Sequence, residues 1–93
     1  MSKDITGSNR ELLWIISIVI SANRKLKGLS QEQFADIVGV SRSLISAIEA
    51  PRLAYNFTLD VFFNIANALE IPPDVLLREA SRIILYQDSE KDS

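Results

Sequence analysis

The most apolar run of the chain is Leu12–Ile20, "LLWIISIVI", and its spacing is helical rather than alternating. Leu13, Ile16 and Ile20 share one stripe, Leu12, Ile15 and Val19 an adjoining one, and Trp14 and Ile18 stay on a different side, one turn apart. The run is far shorter than the roughly 20 residues that span a bilayer. Its flanks lack the basic start and small-residue cleavage site of a signal peptide. The pattern therefore predicts a soluble helix that starts after Ser8 or Asn9, continues through "SANRKLK" and stops at Gly28.

Ser30 is placed to cap a second helix, with Gln33 three residues on as in a capping box, and Phe34, Ala35 and Val38 on one face. Gly39 breaks that helix. Ser41 caps a third, which turns Leu44, Ile45 and Ile48 inward and ends before Pro51. After the loop "APRLAYNF", Thr58 caps a fourth helix whose Leu59, Phe62, Ile65, Ala66 and Leu69 keep helical spacing. Pro72-Pro73 opens a fifth, "DVLLREASRIILYQ", read as one helix or as a short one plus an extension. No strand pattern or internal repeat occurs. The fold class is all-α with five helices, one domain over 8–87, and flexible termini at 1–7 and 88–93.

The segment 31–50 carries a more specific signal. Two helices joined by so short a turn must cross at a large angle to bury both apolar faces. The crossing requires a small residue on the first helix, a turn residue tolerant of positive φ and a branched apolar residue on the second helix. Ala35, Gly39 and Ile45 stand at those places, and Phe34, Val38, Val40 and Ile48 complete a shared core. This is the pattern of a helix-turn-helix.

"RKLKGLSQEQFADIVGVSRSLISAIE" resembles the phage-repressor (Xre/Cro-type) DNA-binding domain, and the likeness runs on through "TLDVFFNIANALEIPPDVLL", covering residues 21–77. The resemblance implies a five-helix repressor-like domain with a C-terminal helical extension, dimeric binding to double-stranded DNA, and a recognition helix at Ser41–Glu49. It also implies an Arg24–Glu49 ion pair tying the first helix to the third, and a phosphate contact by Gln31. Two departures stand out. Ala50-Pro51 replaces the residue and glycine that commonly follow the glutamate, and the next loop is lengthened by Tyr55-Asn56-Phe57. Within Ala50–Phe57 only Arg52 is carried over as a DNA contact.

Composition narrows the chemistry. The chain has no Cys and no His, so it lacks the usual metal ligands and the commonest general base. No catalytic residue, metal site or cofactor is expected, and 93 residues leave no room for an effector domain that would bind a small molecule. A cytoplasmic, non-enzymatic regulator is the expectation. The net charge of −2 is at first sight wrong for a partner of a polyanion. The charge is uneven, however. Arg24, Lys25, Lys27, Arg42 and Arg52 outnumber the acids over 21–57, while the final third is acidic. DNA affinity arises from local phosphate contacts and specificity from side chains that reach base edges.

With Leu44, Ile45 and Ile48 turned inward, the third helix shows Ser41, Arg42, Ser43, Ser46 and Ala47. Arg42 is the long forked donor among them, suited to the O6/N7 edge of guanine or to a phosphate. A domain that keeps the fold but binds protein instead of DNA is the alternative; the low pI and the short side chains of this face favour it. The apolar surplus at Trp14 and Ile18, with Ile83, Ile84, Leu85 and Tyr86 beyond the family match, predicts either a fifth helix folded back on the first or a homodimer interface.

Overall fold

The computed structural model describes residues 5–50 and 56–92, with side chains over 9–50 and 56–83. Five helices follow in order: α1 (Ile5–Leu26), α2 (Gln31–Val38), α3 (Arg42–Glu49), α4 (Leu59–Leu69) and α5 (Pro73–Asp92). No strand occurs among the described residues.

The helix ends have local causes. The α1 chain reverses at Gly28, φ +74°, where the N–H of Leu29 bonds the carbonyl of Arg24 and that of Gly28 bonds Lys25, a Schellman closure. Ser30 and Gln33 form a reciprocal capping box at the start of α2. Gly39, φ +89°, ends α2, and the hydroxyls of Ser41 and Thr58 accept the N–H of Leu44 and Val61 to cap α3 and α4. Phe57 precedes the Thr58 cap and stacks on Phe62, ring centroids 6.4 Å apart, as a hydrophobic staple.

Two expectations are revised. The α1 helix begins at Ile5, so Ser8 and Asn9 lie inside it and do not cap it. The α5 helix is a single unit that carries 88–92 along to Asp92. Residues such as Thr6, Gly7 and Asp88 have poor helix propensity, but lengthening an existing helix needs no new nucleus. Leu59, which keeps the helical spacing of the apolar positions of the fourth helix, is nevertheless 69% exposed. It is the first residue of α4, and Phe57, packed against the core, covers that end of the helix in its place.

The core lies where α2 and α3 cross, roofed by α4 and flanked by α1. Ile20, Phe34, Ile45, Ile48, Ile65 and Leu76 are essentially sealed from solvent. Each such side chain contributes about 1.5–3 kcal/mol of transfer free energy. On α1 the two adjoining stripes supply the buried Ile15, Ile16, Val19 and Ile20, whereas Trp14 and Ile18 face outward. Ser17 is buried beside them and donates its hydroxyl to the Trp14 carbonyl at 2.6 Å, which removes the cost of an unmet polar group. The α5 helix does fold back on α1, burying Leu76 and Ala80.

Candidate nucleic-acid interface

The α3 helix has one apolar side and spends it on the core: Ile45 and Ile48 are buried and Leu44 is half-buried. Ser41, Arg42, Ser43 and Ser46 are exposed on the other side. Ala47, expected outside with them, is half-buried, because a helix packed against both α1 and α2 is covered beyond its central stripe. Arg42 makes no ion pair or hydrogen bond with the described residues, so its fork of donors is available. Ser41 accepts the N–H of Leu44 but keeps its own O–H to donate.

A buried ionic cluster holds this helix in place. Arg24 Nε donates to Glu49 Oε2 at 2.7 Å and Nη2 donates to Oε1 at 3.0 Å, a bidentate pair. Both residues are only 7% exposed. Arg24 Nη1 reaches the Leu29 carbonyl at 2.6 Å, which adds the turn between α1 and α2 to the assembly. Gln31, half-buried, turns its amide inward, Nε2 donating to Glu49 Oε1 at 3.2 Å. Sequence reading put Gln31 toward DNA phosphate and did not foresee this contact, which crosses 18 positions of the chain.

The cations of the α1 end differ. Lys25 is exposed and lines a cleft of about 370 Å³ together with Gln31, Ser46 and Glu49, on the flank of α3. Lys27 bonds Glu70. That ion pair and hydrogen bond hold the Glu70 carboxyl below its ordinary value. Arg52 lies outside the described residues, as do the side chains of Ile84, Leu85 and Tyr86. Of the expected interface residues with described side chains, Trp14, Ile18 and Ile83 are 37%, 44% and 38% exposed. Phe63 and Leu77 are likewise 44% and 41% exposed, which sequence reading missed.

The helix-turn-helix family model matches residues 20–76. Among solved structures, the clp gene regulator ClgR from Corynebacterium glutamicum superposes with a TM-score of 0.75 at 21% identity, over 87% of this chain and 84% of that one. The restriction-modification controller protein C.Esp1396I gives 0.70 at 33% identity, over 81% and 95% of the two chains. The controller C.AhdI from Aeromonas hydrophila gives 0.63 at 33%, over 69% and 94%. No curated protein sequence matches the chain. The chain belongs to the Xre-like helix-turn-helix family of DNA-binding transcription regulators. Among the described residues no helix is long and apolar enough to cross a membrane.

Proposed function

We propose that this protein is a sequence-specific reader of double-stranded DNA. The α3 helix enters the major groove and Arg42 meets a guanine edge there. Ser41, Ser43 and Ser46 donate to bases or to the adjoining phosphates, while Ala47 allows close approach; Arg52 adds a backbone contact. The observation that carries this reading is the division of α3. Its apolar residues are consumed by the core, and Arg42 is left exposed without a partner among the described residues. An arginine kept only for stability would be expected to have a partner, as Arg24 does.

The protein acts as a homodimer on a palindromic operator, since a two-fold axis that sets two recognition helices about 34 Å apart places them in successive major grooves on one side of DNA. Trp14 and Ile18 on α1 and Ile83 on α5 supply the contact, continued by Ile84, Leu85 and Tyr86. In support, Trp14, Ile18 and Ile83 are large apolar side chains left more than a third exposed. The two restriction-modification controllers named above, 33% identical, are matched over 94% and 95% of their own chains.

The test is selection of bound duplexes from a random pool, followed by titration of the winner at several salt concentrations. A palindromic consensus bound more weakly as salt rises is the expected result. A pool that yields no consensus, with no salt-dependent binding, refutes the reading.

A further inference from the structure

We infer that Lys25, Ser21 and Ser46 seat one backbone phosphate of the DNA in the cleft between α1 and α3. The inference rests on the DNA-reading role proposed above. Ser21 and Lys25 stand one turn apart on α1, and Ser46 lines the same cleft, of about 370 Å³, from α3. Arg24 and Glu49 also line it, but their charges cancel in the bidentate pair. Lys25 therefore gives the cleft its net positive charge. Among the described residues Lys25 makes no ion pair, and the hydroxyls of Ser21 and Ser46 make no hydrogen bond. Gln31 uses one amide N–H on Glu49 Oε1, at 3.2 Å, and keeps the second. The two Glu49 oxygens already accept three donors, two from Arg24 and one from Gln31. What the cleft presents is thus a set of unused donors around one cation, which is the chemistry that takes a phosphodiester rather than a base edge.

The position of the cleft gives the contact its use. Ser46 lies one turn after Arg42 on α3, so a phosphate held there is held beside the helix that reads the bases. Phosphate contacts fix register and orientation, while base contacts supply the choice of sequence. Ser46 then belongs to the backbone contacts, and Arg42 with Ser43 to the base contacts. Lys27, two positions after Lys25, does not share the task, because its ammonium is bonded to Glu70. The two lysines carry the same charge on neighbouring turns of chain, and only Lys25 has its donors unused. A cation in contact with a phosphate releases a bound counterion from the DNA, so its removal weakens binding to all sequences about equally and flattens the salt dependence.

Titrations of the full chain against the selected operator and a random duplex, over a range of salt, test this. Lys25→Ala is expected to melt like the parent. It is expected to lower affinity for both duplexes by about three- to tenfold near 0.1 M salt and to reduce the salt slope by about 0.9, the value of one phosphate contact. Lys27→Ala removes an equal charge two residues away and is expected to leave the slope unchanged. Parent and Lys25→Ala proteins of equal slope, or equal changes in the two lysine variants, overturn the inference. Ser46→Ala is expected to weaken binding to both duplexes by the same factor; a loss confined to the operator makes Ser46 a base contact and overturns its place in the seat. Replacing one operator phosphate at a time by an uncharged methylphosphonate then locates the contact. One position in each half-site is expected to weaken the parent and to leave Lys25→Ala unaffected. If no position behaves so, the cleft holds no DNA phosphate and the inference is overturned. A parent protein that binds neither duplex fails the DNA reading itself, and this inference with it.

Discussion

Arg42 and Glu49 lie on the same short helix and have opposite environments. Arg42 is exposed and without a described partner, so Arg42→Ala is expected to weaken operator binding by about 1–3 kcal/mol and to shift stability by less than about 0.5 kcal/mol. Paired binding and melting curves check this. A melting drop with intact affinity would make Arg42 a structural residue. Glu49 is buried against Arg24, and its removal strands a guanidinium in the interior. Glu49→Ala is expected to cost about 3–5 kcal/mol in urea unfolding, with strong coupling to Arg24→Ala in a double-mutant cycle. Strictly additive effects of the two substitutions would remove the pair from the account. At the far end of α4, Glu70 sits at φ +60°, a conformation unfavourable to a residue with a Cβ. Its pair with Lys27 is solvent-exposed, so it offsets little of that strain. That pair stabilises above the ordinary carboxylate value and fades as pH falls through the lowered value of the folded state. Glu70→Gly is expected to raise stability by about 0.5–1 kcal/mol, seen as a melting point a few degrees higher.

Helices as short as α2 and α3 do not persist alone, so their ends and their mutual packing decide whether they form. Those ends were the most legible part of the sequence. Ser30 with Gln33, Ser41, Thr58, Gly28 and Gly39 act within a few residues of themselves, so local chemistry fixes their role. Gly39 provides a direct measure. A Cβ placed there meets nothing within 4 Å, yet φ is +89°. Gly39→Ala is thus expected to cost about 1–2 kcal/mol through the backbone alone. An unchanged melting point would mean that the turn relaxes freely. Apart from the Arg24–Glu49 pair, which the family resemblance implied, features that depend on distant partners were not legible. Nothing in "NALEIPP" marks Glu70 as a left-handed helix end, since the usual glycine is missing. The inward turn of Gln31 depends on where α3 ends in space. Leu59 keeps the helical period of α4, but period alone does not report that Phe57 already covers that end.

Across the whole molecule, the apolar surface of α1 and α5 predicts association. The protein is expected to sediment as a dimer at micromolar concentration, and Ile18→Asp with Ile83→Asp to shift it toward monomer and weaken operator binding while Arg42 is untouched. A parent protein that stays monomeric and binds half-sites as well as palindromes would sink the dimer. If the same two changes leave the dimer intact while Phe63→Asp with Leu77→Asp dissociates it, the contact lies on the exposed α4 and α5 side chains instead. The Arg24 cluster has a further consequence, for the DNA rather than for the protein. On the reading proposed above, α3 is the recognition helix, and its tie at the far end to two other helices leaves it little freedom to reshape itself around a sequence. The duplex then does most of the adapting. Its side-chain vocabulary is also short: one arginine among serines and an alanine. Base pairs that no side chain reaches should therefore influence affinity through how easily they bend, with flexible pyrimidine–purine steps favoured where the duplex must curve toward the proposed dimer.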